Sequence, residues 1–216
     1  QMITYLNDVD KIKGLGLDVD TSTVMGLVLP YTYSVFWNTS PAGIMEQFTV
    51  AYKKFWTVER KRKADSLQLT PIEVITMASI VEEETNKKED KYKIASVYLN
   101  RIKVGMPLQA DPTVKFATRD FGLKRILSSH LKVVSPYNTY LNRGLPPGPI
   151  CTPSPETIDA VLNAPETNYI YFVASSRFDG SSEFTTNYSD HLKVARQYQQ
   201  ELTRRMDSSK KANANK

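Results

Sequence analysis

Three consecutive carboxylates, Glu82, Glu83 and Glu84, close an apolar stretch that runs from Ile75 to Val81. On a helix of about 3.6 residues per turn, Ile75, Met77, Ala78, Ile80 and Val81 form a broad apolar arc. Glu82 then falls beside Ala78 and Ile75 on one shoulder of the arc. Glu84 falls beside Met77 and Ile80 on the other, and Glu83 lies on the polar face with Thr76 and Ser79. A carboxyl group at the margin of a buried face is partly desolvated, which favours its neutral form. A carboxylic acid still protonated near neutral pH can protonate a leaving oxygen. A helix that simply surfaces gives the same pattern, and helix geometry alone does not choose between Glu82 and Glu84.

A second group lies between Ser135 and Pro155. Tyr137 and Tyr140 supply flat apolar faces beside the amides of Asn138 and Asn142 and the guanidinium of Arg143. Sugars need this mixture, because their C–H faces stack on rings while amides bond hydroxyl and N-acetyl groups. A proline-rich structural crossover is the alternative. Gln109, Asp111 and Thr113 make a third polar group, in which helix capping alone accounts for Asp111 and Thr113. No Ser/His/Asp order and no glycine-rich phosphate loop is present. With two histidines, His130 and His191, and the single Cys151, neither an internal disulfide nor a zinc site is expected. No cofactor is implied. His191 reads as a surface or capping residue.

These groups must be positioned by helices with explicit start signals. Thr70-Pro71-Ile72-Glu73 carries a capping box with proline in the first turn, so a helix is expected from there to about Thr85. Ser40-Pro41 opens an earlier amphipathic helix through Ile44, Phe48, Tyr52 and Phe55, with Lys61 to Ser66 as its polar exit. Lys88 to Val104 is a further helix ended by Gly105. Asp111-Pro112 opens a short one through Ala117, and Ser154-Pro155 another to about Ala164. Tyr5 to Ile12 is a short helical pattern stopped at Gly14-Leu15-Gly16. Thr23 to Phe36, rich in β-branched and aromatic residues, reads as one or two extended segments bent at Pro30. Tyr169 to Ala174 reads as a strand, with a turn at Asp179-Gly180 and a return over Glu183 to Thr186. Ser189 to about Arg205 is the last helix. The fold class is therefore α+β, mainly helical, with short strands and a long Pro/Gly/Tyr-rich loop.

The apolar fraction of 41% gives the 216 residues enough material for one sizeable core. Residues 1–20 read as the tail of a preceding domain or a linker, residues 21–206 as the main domain, and residues 207–216 as a disordered tail. The net charge of +5 suits an anionic polymer or a membrane surface as neighbour, and is too small to point to nucleic acid. No apolar run approaches the ~18 residues that span a bilayer.

The ordered series ASIVEEET (78–85), ASVYLNR (95–101), MPLQADPTV (106–114), PYNTY (136–140), GLPPGPI (144–150), TPSPETIDAVLNA (152–164), YIYFVA (169–174) and His191 resembles the endolytic murein transglycosylases of the YceG-like family. GLVLPYTY (26–33) is similar to that family's opening motif, with Tyr31 where an Asp is usual. The resemblance spans roughly residues 20–205. It implies that Glu82, the first glutamate of the Ile-Val-Glu motif, is the catalytic acid/base. It implies glycan contacts from Asn100, Gln109, Tyr137, Asn138 and Tyr140, and no metal. The reaction implied is non-hydrolytic cleavage of the bond between N-acetylmuramic acid and N-acetylglucosamine in peptidoglycan strands. A hydrolytic muramidase, with Asp111 as second carboxylate, and a non-catalytic wall-binding scaffold are the rivals. The resemblance further implies penicillin-binding synthases as partners. It also implies a single transmembrane helix and a LysM-like domain before the catalytic domain, outside the cytoplasmic membrane, with residues 1–20 the end of that middle region.

Overall fold

Local capping sets most of the helix starts. In α5 (Pro71–Glu84) the Thr70 hydroxyl accepts from the Glu73 N–H, and the Glu73 carboxylate accepts from the Thr70 N–H at 2.7 Å, closing the capping box. Ser40 caps α3 (Pro41–Phe55) and Ser154 caps α8 (Pro155–Leu162) in the same way, each with proline in the first turn. The other helices are α1 (Met2–Leu6), α2 (Val9–Lys13), α4 (Val58–Ser66), α6 (Lys88–Lys103), α7 (Asp111–Thr118) and α9 (Tyr188–Ala214). Strands β1 (Tyr171–Ala174) and β2 (Ser182–Thr185) pair antiparallel, Tyr171 opposite Thr185 and Phe172 opposite Phe184. The fold is α+β and mainly helical. This computed structural model describes residues 1–123 and 125–214, the last six by backbone alone.

α5 is the central element. It packs on α8, α6 and α7, and every residue from Val74 to Val81 is buried. That includes Thr76 and Ser79, which the helix wheel assigns to a polar, solvated face. Both hydroxyls find partners inside: Thr76 donates to the Ile72 carbonyl, while Ser79 donates to Thr76 and accepts from the Ile150 N–H at 3.0 Å. Hydrogen-bonded hydroxyls can be buried at little net cost, so the long loop covers this face. After its partly exposed first turn, α5 returns to the surface at Glu82.

Several segments differ from their sequence reading. Val24–Leu27 forms a 3₁₀ turn, and the chain after it, extended at Val28, pairs into no strand. A strand needs a partner for its ladder, and the only sheet among the described residues is the β1–β2 hairpin. Val24, Leu27 and Leu29 go into the core, and Gly26 lies so close to α5 that a Cβ would meet Ile72 at 2.8 Å. Lys61 to Ser66 belongs to α4, a helix of its own capped by Thr57. Asp111 is the first residue of α7 and not its cap; Ala110 holds that position without a side-chain bond. Residues 1–19 pack on the body, Ile12 inside the core with Leu6, Leu15 and Val19 against it. α9 continues past Asp207 to Ala214, since no Gly or Pro interrupts it; Asn215 and Lys216 of the expected tail lie outside the described residues.

The loop from Ser135 to Ser154, where α8 takes over at Pro155, has no helix or strand, as its composition requires. It is fixed all the same. A Cβ on Gly148 would stand 2.2 Å from the Ser22 carbonyl oxygen. Both sides of that contact are backbone, so neither yields by rotating a side chain. Gly148→Ala is expected to destabilise the protein by about 1–3 kcal/mol, read by thermal or urea unfolding; an unchanged midpoint would refute this close approach.

Candidate active site

The last turn of α5 divides its three glutamates among different surroundings. Glu82 Oε2 accepts from Lys91 Nζ of α6 at 3.1 Å, from Ser154 Oγ at 3.0 Å, and from the Thr157 hydroxyl of α8. Lys91 Nζ also donates to Thr157 Oγ1 at 2.7 Å. Glu82 therefore ties the end of α5 to α6 and to the N-terminus of α8, where a helix favours negative charge. Burial pushes the Glu82 carboxyl up. Bonds from Thr157 and Lys91, the charge of Lys91 and the bond from Ser154 together outweigh it and hold the group below its ordinary 4.5. Glu82 is an anion occupied with structural partners. Glu83 is exposed, as the helix wheel requires.

Glu84 is the opposite case. Its Oε1 accepts from the hydroxyl of Tyr98, a fully buried residue of α6, at 2.7 Å. Burial pushes Glu84 up to about 7 against the Tyr98 bond; the charge of Asp111 adds to the rise and that of Arg101 opposes it. Protein crowds this carboxyl, yet it remains accessible, because three depressions meet at Glu84. One, of about 380 Å³, lies over the end of α5; another, of about 410 Å³, runs along the hairpin; the third, of about 430 Å³, runs toward α7. Two roomier hollows of about 950 Å³ open beside the start of α5 and along α3, and neither is lined by Glu82, Glu83 or Glu84.

The remaining candidates separate into accessible and structural groups. Tyr140 is linked to the cleft: its hydroxyl donates to Asp111 Oδ1 at 2.7 Å, and Asp111 lines the depression on the α7 side. Gln109 is exposed, held in a left-handed conformation (φ 51°) by a bond from its N–H to the Thr139 carbonyl. Tyr137 packs its ring on Phe116 at 4.7 Å and lies beside Gly148. Asn138 is fully buried, donating to the Leu131 and Val133 carbonyls and accepting from the Tyr140 N–H. Asn100 donates to the Thr167 and Tyr169 carbonyls, anchoring the segment that enters β1. Asn138 is thus turned inward to satisfy backbone, and the Asn100 amide N–H groups are likewise spent on backbone carbonyls.

Several participants went unseen in the sequence. Tyr98 and Arg101 sit in the ASVYLNR motif, Tyr98 on the apolar side and Arg101 as a buried cation. Arg101 donates to the Ile170 and Leu108 carbonyls and lies 5.5 Å from the Tyr171 ring. Lys91 is 8% exposed, a burial that a helix rich in lysine does not announce. His191 stacks on Tyr171, centroids 5.1 Å apart, and its Nδ1 is buried without a partner. Among the described residues no His, Cys, Asp or Glu group is arranged to hold a metal ion.

The chain is 41% identical over 150 residues to an endolytic murein transglycosylase of Bacillus subtilis strain 168, covering 69% of this chain and 40% of that protein. It is 33% identical over 175 residues to an endolytic murein transglycosylase of Streptococcus pneumoniae strain D39, covering 77% of this chain and 30% of the other. The chain thus spans less than half the length of these relatives. A crystal structure of a YceG-like protein from Listeria monocytogenes superposes with a TM-score of 0.75 at 27% identity, covering 89% of this chain and 66% of that one. The model of the YceG-like family matches residues 1–197, and with these relatives beside it the chain belongs to the YceG-like family.

Proposed function

We propose that this chain is the catalytic part of an endolytic murein transglycosylase and that its acid/base is one of the two carboxyls at the end of α5, Glu82 by the family motif or Glu84 by its surroundings. The observation that carries the reading is geometric: the buried helix α5 ends in Glu82 and Glu84, which line one depression over its last turn, and Glu84, held by the Tyr98 hydroxyl, lines two more. The names of the relatives supply the substrate, the peptidoglycan glycan strand.

With Glu84 in that role, its neutral form protonates the oxygen of the β-1,4 bond between N-acetylmuramic acid and N-acetylglucosamine as that bond breaks. The substrate's own N-acetyl group stabilises the cationic anomeric centre, as in the substrate-assisted exceptions to the two-carboxylate rule. The ionised Glu84 then takes the proton of the muramoyl 6-hydroxyl, whose oxygen bonds to the anomeric carbon. The product carries a 1,6-anhydro end, and the acid is regenerated. Tyr98 holds one oxygen of the carboxyl throughout and fixes its direction. Glycan contacts fall to Tyr140, through its bond to Asp111, and to exposed Gln109.

A hydrolytic muramidase is the second reading, favoured by one observation: Asp111 lines the same depression as Glu84. Mass spectrometry of peptidoglycan digested by the protein separates the two. Anhydro ends are expected, and reducing ends alone would replace this reading with hydrolysis.

Among the described residues no helix is long and apolar enough to cross a membrane. The proposal places the catalytic domain, residues 21–206, outside the cytoplasmic membrane, held there by a helix beyond this chain, with penicillin-binding synthases as partners.

A further inference from the structure

The cleft around Glu84 is unlike on its two sides. Along the hairpin it is lined by aromatic rings and hydroxyls, among them Phe178, Tyr198, Ser175 and Ser182, and no cation. Toward α7 it is lined by Lys115 and the exposed Arg125, across from the carboxylates of Glu83, Glu84 and Asp111. Lys115 is half-buried, and neither it nor Arg125 forms an ion pair among the described residues. Asp111, four residues before Lys115 on α7, is at the spacing for such a pair. Its Oδ1 instead accepts from the Tyr140 hydroxyl. A cation that faces a cleft without an ion-pair partner is free to pair with an anion that enters it.

We propose that Lys115 and Arg125 form an anion subsite that takes a carboxylate of the glycan strand, so that the strand lies with its charged substituent on the α7 side of Glu84. This rests on the cleft being the glycan site. Two sources carry that chemistry: the free lactyl carboxylate of a peptide-free muramoyl residue, and the carboxylates of a stem peptide.

The test measures KM and kcat for the unmutated protein and for Lys115→Gln, Arg125→Gln and the double variant. The substrates are peptide-bearing strands, amidase-stripped strands and uncharged N-acetylglucosamine oligomers. Equilibrium binding of the same ligands is measured with each change placed in Glu84→Gln protein. The double variant is expected to raise KM and Kd for carboxylate-bearing strands roughly tenfold, the size of a charge-assisted bond, with kcat little changed and the effect shrinking in high salt. Loss confined to peptide-bearing strands assigns the stem peptide, loss confined to stripped strands assigns the lactyl group, and loss with both shows that the subsite takes either carboxylate. An unchanged KM and Kd, or an equal loss with the uncharged oligomer, overturns the subsite. If the unmutated protein releases no anhydro ends from any strand, the reading of the cleft as catalytic fails, while the binding arm still decides the subsite.

Discussion

Glu84→Gln is expected to lower the formation of anhydro ends by about 10²–10⁴-fold, the range that general acid–base catalysis contributes, without unfolding the protein. Gln keeps the volume and the acceptor for the Tyr98 hydroxyl, which donates to Glu84 at 2.7 Å, but has no proton to give. Two pH effects accompany it. As an acid with its pKa at about 7, Glu84 loses the reactive form as pH rises through that value, so kcat/KM should fall on the alkaline side. Stability moves in the same direction. The folded protein holds a proton on Glu84 that the unfolded chain, with an ordinary value of 4.5, has already released. Stability attached to this group is therefore present below 4.5 and lost as pH rises toward 7. Gln does not titrate, so Glu84→Gln protein should lack that loss and match or exceed the parent in melting temperature at pH 7. Retention of activity by Glu84→Gln with loss in Glu82→Gln would return the acid/base role to Glu82.

Glu82→Ala is expected to act on stability. Its side chain is 26% exposed and that of Lys91 only 10%, so the substitution leaves a buried ammonium with Thr157 as its remaining partner. Breaking a buried pair costs about 3–5 kcal/mol; allowing for the partial exposure of Glu82, roughly 2–4 kcal/mol is expected here. For a chain of this size that is about 5–15 °C in melting temperature. Changing both partners to apolar residues, Glu82→Leu with Lys91→Met, should recover much of the loss, because no charge is then stranded. The folded-state value of Glu82 is depressed. Its stabilisation is accordingly present above 4.5 and disappears as pH falls through the folded value, so the gap between parent and variant should close in acid. Activity per folded molecule should change by a factor of a few. A loss of activity without loss of stability would contradict the structural role.

The two predictions separate residues that the sequence leaves adjacent and alike. What the chain order settles is local. Thr70-Pro71-Glu73, Ser40-Pro41 and Ser154-Pro155 start helices where their side chains can cap the first turn, and Gly105 ends α6 with φ 69°. The strand pair around Asp179-Gly180 and the irregular loop from Ser135 to Ser154 follow from the same short-range chemistry. Each depends on neighbours within a few residues, and that information is present in the string of letters. The placement of Thr76 and Ser79 is already beyond it, because their cover is Ile150 and the loop around it, some 71 residues along the chain from Ser79.

The identity of the acid is a tertiary property for the same reason. The sequence by itself determined that two carboxylates emerge at the end of a buried helix, and placed Glu83 in solvent. Against its own burial, bonds from Thr157, Lys91 and Ser154 hold Glu82 below its ordinary value, while burial and the charge of Asp111 raise Glu84 against the bond from Tyr98 and the charge of Arg101. Those partners lie between 9 and 75 residues away from Glu82 and 14 or more from Glu84. A pKa responds to burial and to charges in space, and neither is a function of spacing along the chain. The engagement of Asn100, read from the sequence as a glycan contact, has the same origin: its amide bonds the carbonyls of Thr167 and Tyr169, 67 and 69 residues along the chain, whereas the carbonyls that Asn138 bonds lie within seven residues of it.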